Sequence, residues 1–405
     1  MSLSAAYNII SSSFAANAAQ TAVVSKNIAN VNTSCYSREI ANILTNSYGG
    51  AEVDSVTREA NSALLSQVSD STSQAAGQQV ISNGLTTLAQ TVNDSASATS
   101  ATGATQNGVS PSAMLAKLQS ALQTYAASPG NASVGQAAVA AASNLARSLN
   151  SASATVQQVR SQADGSMASS VATINSLLDQ FAQANTSIVT GLHTGADVSN
   201  ARDTRDTILG QLSRQIGIST VANQDGSTSI YTDSGVTLFQ DTPRTVAFSP
   251  TTTLTAGASG GAVSVDGVPI TGANAPMAIH SGALAGLATL RDTIAPHYQA
   301  QLDQIAGGLV SAFSETDQSA TQTLPPEPGL FTFPGATGVP APGPMRPNLH
   351  VATSTRSALR KCRCSCCIPF VTPALPLGLM PRGPSVGYWV WLEHRKSQRY
   401  EWGKP

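Results

Sequence analysis

The chain has 405 residues, room for two or three domains of ordinary size. Charged residues are 11% and aromatics 5%, low for a globular enzyme when an average domain is about 25% charged. The net charge of −1 hides two compositions: residues 1–345 hold 11 Lys+Arg against 20 Asp+Glu, and residues 346–405 hold 10 against 2.

Residues 1–345 contain one cysteine, Cys35, so no intrachain disulfide is expected in the body. The first 20 residues lack a basic-then-apolar leader, because Ser11, Ser12, Ser13 and Asn17 interrupt it. No run of about 18 apolar residues suggests a membrane span. Ala, Ser, Thr, Gln and Asn make up the filler, and periodicity decides between long helix and disordered linker.

The opening segment is the most regular. Leu3, Tyr7, Ile10, Phe14, Asn17, Thr21, Val24, Ile28 and Val31 advance in alternating steps of four and three, a heptad seam with seven apolar positions. A helix of about 30 residues spans roughly 45 Å. One narrow apolar stripe cannot bury itself, so this helix needs a partner helix or a globular core. Asn17 and Thr21 sit inside the seam, where buried polar residues can set register.

Asn30-Val31-Asn32-Thr33 ends the helix with turn formers. Residues 36–56 read as extended or irregular. Helix is predicted again over 60–92, with Leu64, Val68, Val80, Ile81, Leu85 and Leu88, then a Ser/Ala/Thr/Gly loop over 93–112 ending at Pro111. Leu115, Leu118, Leu122 and Tyr125 form a short helix, broken at Ser128-Pro129-Gly130. An Ala-rich helix follows from about Val134 beyond Val159, into the heptad Val171, Ile174, Leu178, Phe181, Asn185, Ile188, Leu192. A further helix over 203–215 carries Ile208, Leu212 and Ile216.

The period then changes. Residues 218–270 are rich in Thr, Val and Ser, with Asp-Gly turns at Asp225-Gly226 and Asp266-Gly267 and short strands around Ile230, Val236 to Phe239, Val246 to Phe248, Val263 and Ile270. After His280, helix returns with Leu284, Leu287, Leu290 and Ile294. Pro296 is read as a kink or a first-turn proline, before Leu302, Ile305, Leu309 and Phe313. Residues 318–347 are Pro/Gly/Thr linker.

Chemistry-bearing patterns are sparse. No G-x-S-x-G, phosphate loop or H-E-x-x-H is present, and His193, His280 and His297 stand apart. Arg202, Asp203, Arg205 and Asp206 have helical i, i+3 and i, i+4 spacing and read as a solvated ion-pair face or as helix N-terminal charges. Asp225 and Asp266 fit local turn bonding. Cys362, Cys364, Cys366 and Cys367 lack the paired C-x-x-C spacing and nearby His of a zinc site. The basic tail, with Arg356, Arg360, Lys361, Arg363, Arg395, Lys396 and Arg399, reads as unstructured rather than as a nucleic-acid or lipid surface. No catalytic, cofactor-binding or metal-ligating residues are assigned, and no cofactor is expected.

Asn27, Ile28, Ala29, Asn30, Asn32 and Thr33, closed by Tyr36, Ser37 and Arg38, resemble the amino-terminal signature of the flagellar rod, hook and hook-associated proteins, N-N-I-A-N-x-N-T-x-G-Y/F. The Tyr36-Ser37-Arg38 ending is more similar to the hook–filament junction members, the hook-associated protein 1 type, than to rod or hook subunits. So are the stretches 201–206, 281–294 and 298–306, in order along residues 1–340. The resemblance implies a structural subunit rather than an enzyme. Its terminal helices would pair in an inner coiled coil at the hook–filament junction. It would be exported unfolded by the flagellar type III route without a cleaved signal. Its partners would be further copies, the hook subunit, the next hook-associated protein and an export chaperone, with no nucleic acid, membrane or small-molecule substrate. Alternatives are a rod or hook subunit, a helical-bundle signalling protein, and a wall hydrolase, for which no paired carboxylates are apparent.

The chain departs from the signature at Cys35, where the family has Gly, and at Ser34, often Pro. The heptad helix that closes these proteins is not read in residues 346–405; the jump in charge, Cys and Trp there is expected of an out-of-frame stretch, which the nucleotide sequence past codon 340 would test. The expected architecture is mainly α: an elongated helical bundle or coiled coil with a small inserted β domain and an irregular C-terminal tail. The segments are a coiled-coil helix with motif (1–40), a helical middle domain (41–215), a small β domain (216–280), return helices (281–317), a linker (318–345) and an aberrant tail (346–405). The assembly seam is assigned to Leu3, Tyr7, Ile10, Phe14, Val24, Ile28 and Val31.

Overall fold

The computed structural model describes residues 3–33, 36–45, 47, 49–92, 108–251, 254, 258–316, 327, 329–333 and 349–351. Ser34, Cys35, most of the 318–345 linker and the tail from 352, with its cysteine cluster and basic residues, lie outside them. Helix dominates the described residues, in keeping with the mainly α reading. The chain divides into two compact units: Met1–Ser82, Ala163–Thr252 and Gly260–Leu290 in the first, and Asn83–Gln162, Thr253–Ser259 and Arg291–Pro405 in the second.

In the first unit, α1 (Leu3–Ala29) leads into an antiparallel hairpin of β1 (Glu39–Thr45) and β2 (Ala51–Arg58), the stretch expected to be extended or irregular. The register pairs Glu39 with Arg58 and Thr45 with Ala51, with a shift between Asn42 and Ile43. Next, α2 (Ser62–Ala89) begins where the Asn61 side chain accepts from the Leu64 amide at 3.1 Å. Ser73 and Gly77 of α2 and Gly282 and Gly286 of the later α6 (Ala283–Thr289) meet backbone to backbone: the Gly282 amide donates to the Ser73 carbonyl, and a Cβ on Gly286 would stand 2.5 Å from the Gly77 carbonyl oxygen. Both sites need glycine's missing side chain.

The long helix α4 (Ala132–Thr194) contributes residues to both units. Its heptad stretch lies in the first, and there Ile174, Leu178, Phe181 and Ile188 are fully buried, while Leu192 at the end is exposed. Phe181 meets Phe239 edge to face, ring centroids 4.9 Å apart. The polar heptad member, Asn185, is buried, its Oδ1 accepting from the Thr228 amide at 2.9 Å. Helix α5 (Ser199–Gln215) starts four residues before the predicted 203, since its first turn carries little apolar signal. The β region expected after α5 consists of two small sheets. One has β3 (Ile218–Ala222), β4 (Thr228–Thr232), β5 (Thr237–Gln240) and β6 (Thr242–Pro243) in sequence order. The other has β7 (Val246–Ala247), β8 (Ser264–Val265) and β9 (Val268–Pro269). The break between them follows Pro243, which has no amide to extend a ladder.

In the second unit, Ser110 caps α3 (Pro111–Ala127), its Oγ accepting from the Ala113 amide at 3.1 Å. Leu118, Leu122 and Tyr125 are buried, as are Leu145, Leu149, Val156 and Val159 of α4. Arg160 is buried too, donating from Nε to the Arg291 carbonyl at 3.1 Å and from Nη2 to the Ala258 carbonyl at 2.5 Å. A π-helical turn (Leu290–Ile294) joins α6 to α7 (Ala295–Ala312). Pro296 stands in the first turn of α7, the second of the two readings of that proline. It has no amide to donate back, and the widened π turn ahead of it accommodates the missing bond. Phe313 packs edge to face on Phe331 of β10 (Phe331–Thr332), which pairs with β11 (His350–Val351).

Many serines and threonines return their hydroxyls to the preceding helical turn, as Thr155 does to Ser151 and Thr173 to Ser169. Their polar atoms are thereby satisfied inside the helix, and a Ser/Thr-rich composition sustains a 63-residue α4.

Candidate assembly interface

Helix α1 has two faces with opposite fates. The inner stripe is Ala5, Ile9, Ser12, Ala16, Ala19, Val23 and Lys26, continued by Asn30 past the helix end; with Ala6 and Asn27 these are the positions withdrawn from solvent. It packs against the β1–β2 hairpin; Ala16 is 3% exposed, and Ile9 lies beside the hairpin turn at Gly49. Half of that stripe is Ala or Ser.

The seam is offset from it by two residues, which at 100° per residue is the far side of the helix. Leu3, Tyr7, Ile10, Phe14, Val24, Ile28 and Val31 are all between 54% and 89% exposed. Thr21 returns its hydroxyl to the Asn17 carbonyl at 2.8 Å. A helix 27 residues long thus presents most of its large apolar side chains to solvent and packs through a mixed stripe whose one buried member is alanine. Isolated exposed hydrophobics are ordinary; here they form one contiguous row.

The signature residues build the corner where α1 gives way to β1. The Asn27 carboxamide takes both backbone groups of Glu39: Nδ2 donates to the carbonyl at 2.8 Å, and Oδ1 accepts the amide at 2.9 Å. The Tyr36 hydroxyl donates to the same Oδ1 at 2.7 Å. Asn27 therefore acts as one more strand residue beside β1. The fold uses this device twice more, with Asn175 holding Val246 and Asn150 holding Leu349 by both backbone groups. Asn30 donates to the Lys26 carbonyl, and Thr33 to Asn30 Oδ1. Ile28 and Ala29 stay exposed, as does Asn32 in the turn that follows. Burial, then the nearby Glu39 charge, pushes the Tyr36 hydroxyl above its ordinary value.

Residues outside the predicted set complete the corner. Lys26, the one charged residue of α1, reaches buried Glu39 at 2.5 Å and Asn200 of α5 at 2.7 Å. At the hairpin's end, Arg58 pairs with Asp206 at 2.7 Å and lies 2.6 Å from Asp203, while also donating to Ser37 Oγ at 3.2 Å. Arg58 is only 6% exposed, with Asp203 at 16% and Asp206 at 11%. Burial would pull this guanidinium down; the hydrogen bond and charge of Asp206, with Asp203, outweigh it and hold it above its ordinary value.

The reading of residues 202–206 as a solvated ion-pair face is therefore corrected. Asp203 and Asp206 turn inward to an arginine nearly 150 positions earlier, and Arg205 donates to the Gly226 carbonyl at 2.9 Å. Spacing along one helix cannot reveal a partner on a distant strand. The lone lysine of α1 was the available signal for Lys26. Arg38 pairs with Glu59 on the exposed side.

Among the described residues no helix is long and apolar enough to cross a membrane, and no group of three or more His, Cys, Asp or Glu side chains could hold a metal. The profile of the flagellar hook-associated protein FlgK helical domain matches residues 103–329, more than half of the chain. The structure of the flagellar hook junction protein FlgK from Burkholderia pseudomallei is similar, with 22% identity and a TM-score of 0.49; the match covers 66% of this chain and 46% of that one. The chain thus spans under half the length of that protein. No curated protein matches the sequence.

Proposed function

The chain belongs to the flagellar hook-associated protein FlgK family, and from that membership we propose that it is a structural subunit joining hook to filament, assembling through the seam of α1. The observation that carries this reading is a row of large apolar side chains that the chain itself leaves in solvent, six on α1 and Val31 in the turn that follows it. They lie outside the matched 103–329 region, so they support assembly independently of it. Pairing of heptad seams is driven by burying such a row against a complementary helix.

In this reading the partners are further copies of the chain, the hook subunit and the next hook-associated protein. Delivery is through the flagellar export route, with a chaperone, and the site of action is the hook–filament junction. The protein acts by packing and carries out no reaction. Membership of a structural family supports the absence of catalysis, as does a sequence without a nucleophile or paired-carboxylate motif. The test is to add labelled chain to hooks lacking their junction proteins and image them by electron microscopy, with a muramidase assay alongside. Label at hook ends and no wall cleavage are expected. Cleavage without hook-end label would overturn the reading.

A further inference from the structure

We infer that Asp203 and Asp206 of α5 are positioning residues: they latch the helix–hairpin module of residues 3–58 to α5 and so fix where the α1 seam points. The inference rests on the assembly reading for its purpose, though the latch itself rests on geometry alone.

The module has little apolar grip of its own. Among the apolar residues of α1, β1 and β2 only Ala16 is buried, while Ile9, Val23, Ile40, Val53 and Val56 are half-buried. Full hydrophobic burial, which usually fastens one element to another, is confined here to one small residue. The covalent exit is short: Glu59, Ala60 and Asn61 lead from β2 into α2, and the Glu59 amide merely closes back on the Arg38 carbonyl.

The polar contacts to α5 are specific. Arg58 sits at the last position of β2, almost without solvent, between two carboxylates one helical turn apart. Asp206 accepts a hydrogen bond from Nη2, and Asp203 supplies a close charge without hydrogen-bond alignment, leaving its Oδ1 and the Arg58 Nε unbonded. Lys26 reaches Asn200 one turn earlier on the same helix. Asn200, Asp203 and Asp206 therefore form one polar row on α5. It receives the end of α1 and the end of β2 together. The exposed Arg38–Glu59 pair adds little, because water screens it.

A buried ion pair adds little net stability over a well-packed apolar contact, but removing one partner strands the other charge without water. An arginine left between two amides would leave its site, and the module would swing out with it. The seam would remain apolar and helical, but no longer aimed.

Arg58 is itself a trypsin site, so the latch can be read directly. In the full chain, Asp203→Asn with Asp206→Asn should raise cleavage after Arg58 by about tenfold or more, since cutting follows the open population. Cleavage after buried Arg160 and Arg291, and the helical circular-dichroism signal, should not change. Arg58→Lys keeps the cation and the cut site, and should stay closer to wild type than to the double variant. Unchanged cleavage at Arg58 overturns the latch. So does a rise that comes only with cutting at Arg160 and Arg291 and loss of helix, since the carboxylates would then hold the body. If the module opens but hook-end incorporation is normal, the positioning role is wrong while the assembly reading survives. That reading fails separately, through substitutions in the seam itself.

Discussion

Placing a charge at two points of the seam, Ile10→Asp with Val24→Asp, separates an assembly surface from a core. In the free chain Ile10 is 55% and Val24 is 54% exposed. Full burial of such side chains is worth about 1.5–3 kcal/mol each, so roughly half remains to be gained in assembly, about 2–3 kcal/mol for the two. Each aspartate would also bring a carboxylate into the interface without a partner, at several kcal/mol per ion. The sum is about 5 kcal/mol or more per subunit, a loss beyond about a thousandfold in affinity at about 1.4 kcal/mol per decade. The free chain should hardly notice, since exposed substitutions usually fall within about 0.5 kcal/mol. Junction incorporation in cells, imaged by electron microscopy, and thermal unfolding of the purified chain are the paired measurements. Normal junctions in the double variant would refute the reasoning. An early melt of the free chain would refute it too, by showing that the residues serve the fold instead.

Three further outcomes follow from the geometry. Asn27→Ala orphans both backbone groups of Glu39 and the Tyr36 hydroxyl; a local cost of about 2 kcal/mol should speed hydrogen exchange of the Glu39 amide by about thirtyfold, with α4 amides unaffected. Gly286→Ala drives a Cβ to 2.5 Å from the Gly77 carbonyl oxygen, which is backbone and cannot turn aside; it should cost about 1–3 kcal/mol, read as a lower denaturant midpoint. Burial would raise the Asp197 carboxyl, but hydrogen bonds from Ser199 outweigh it and hold it below its ordinary value. A depressed folded value means that this contribution is complete above the unfolded value of about 3.9 and vanishes as pH falls through the folded one. Asp197→Asn should therefore flatten the acid limb of the stability curve, and an unchanged limb would deny the role.

The sequence by itself determined what short-range periodicity can carry. Leu3 to Val31 state a heptad helix, Val171 to Ile188 a buried one, and the Asp-Gly turns mark the change to strands, because 3.6- and 2-residue periods are local properties of the backbone. The Asn27-to-Arg38 signature was legible as a pattern, though its purpose was not. Only the tertiary structure decided which face of α1 stays in water, since the inner stripe of Ala16 and its small neighbours carries too little hydrophobic contrast to announce itself. It alone also decided that Asn27 completes a strand, that the β region divides into two sheets, and that Asp203 and Asp206 answer Arg58. Those pairings join residues far apart in the chain, and a charge in a sequence does not name the distant charge it will meet.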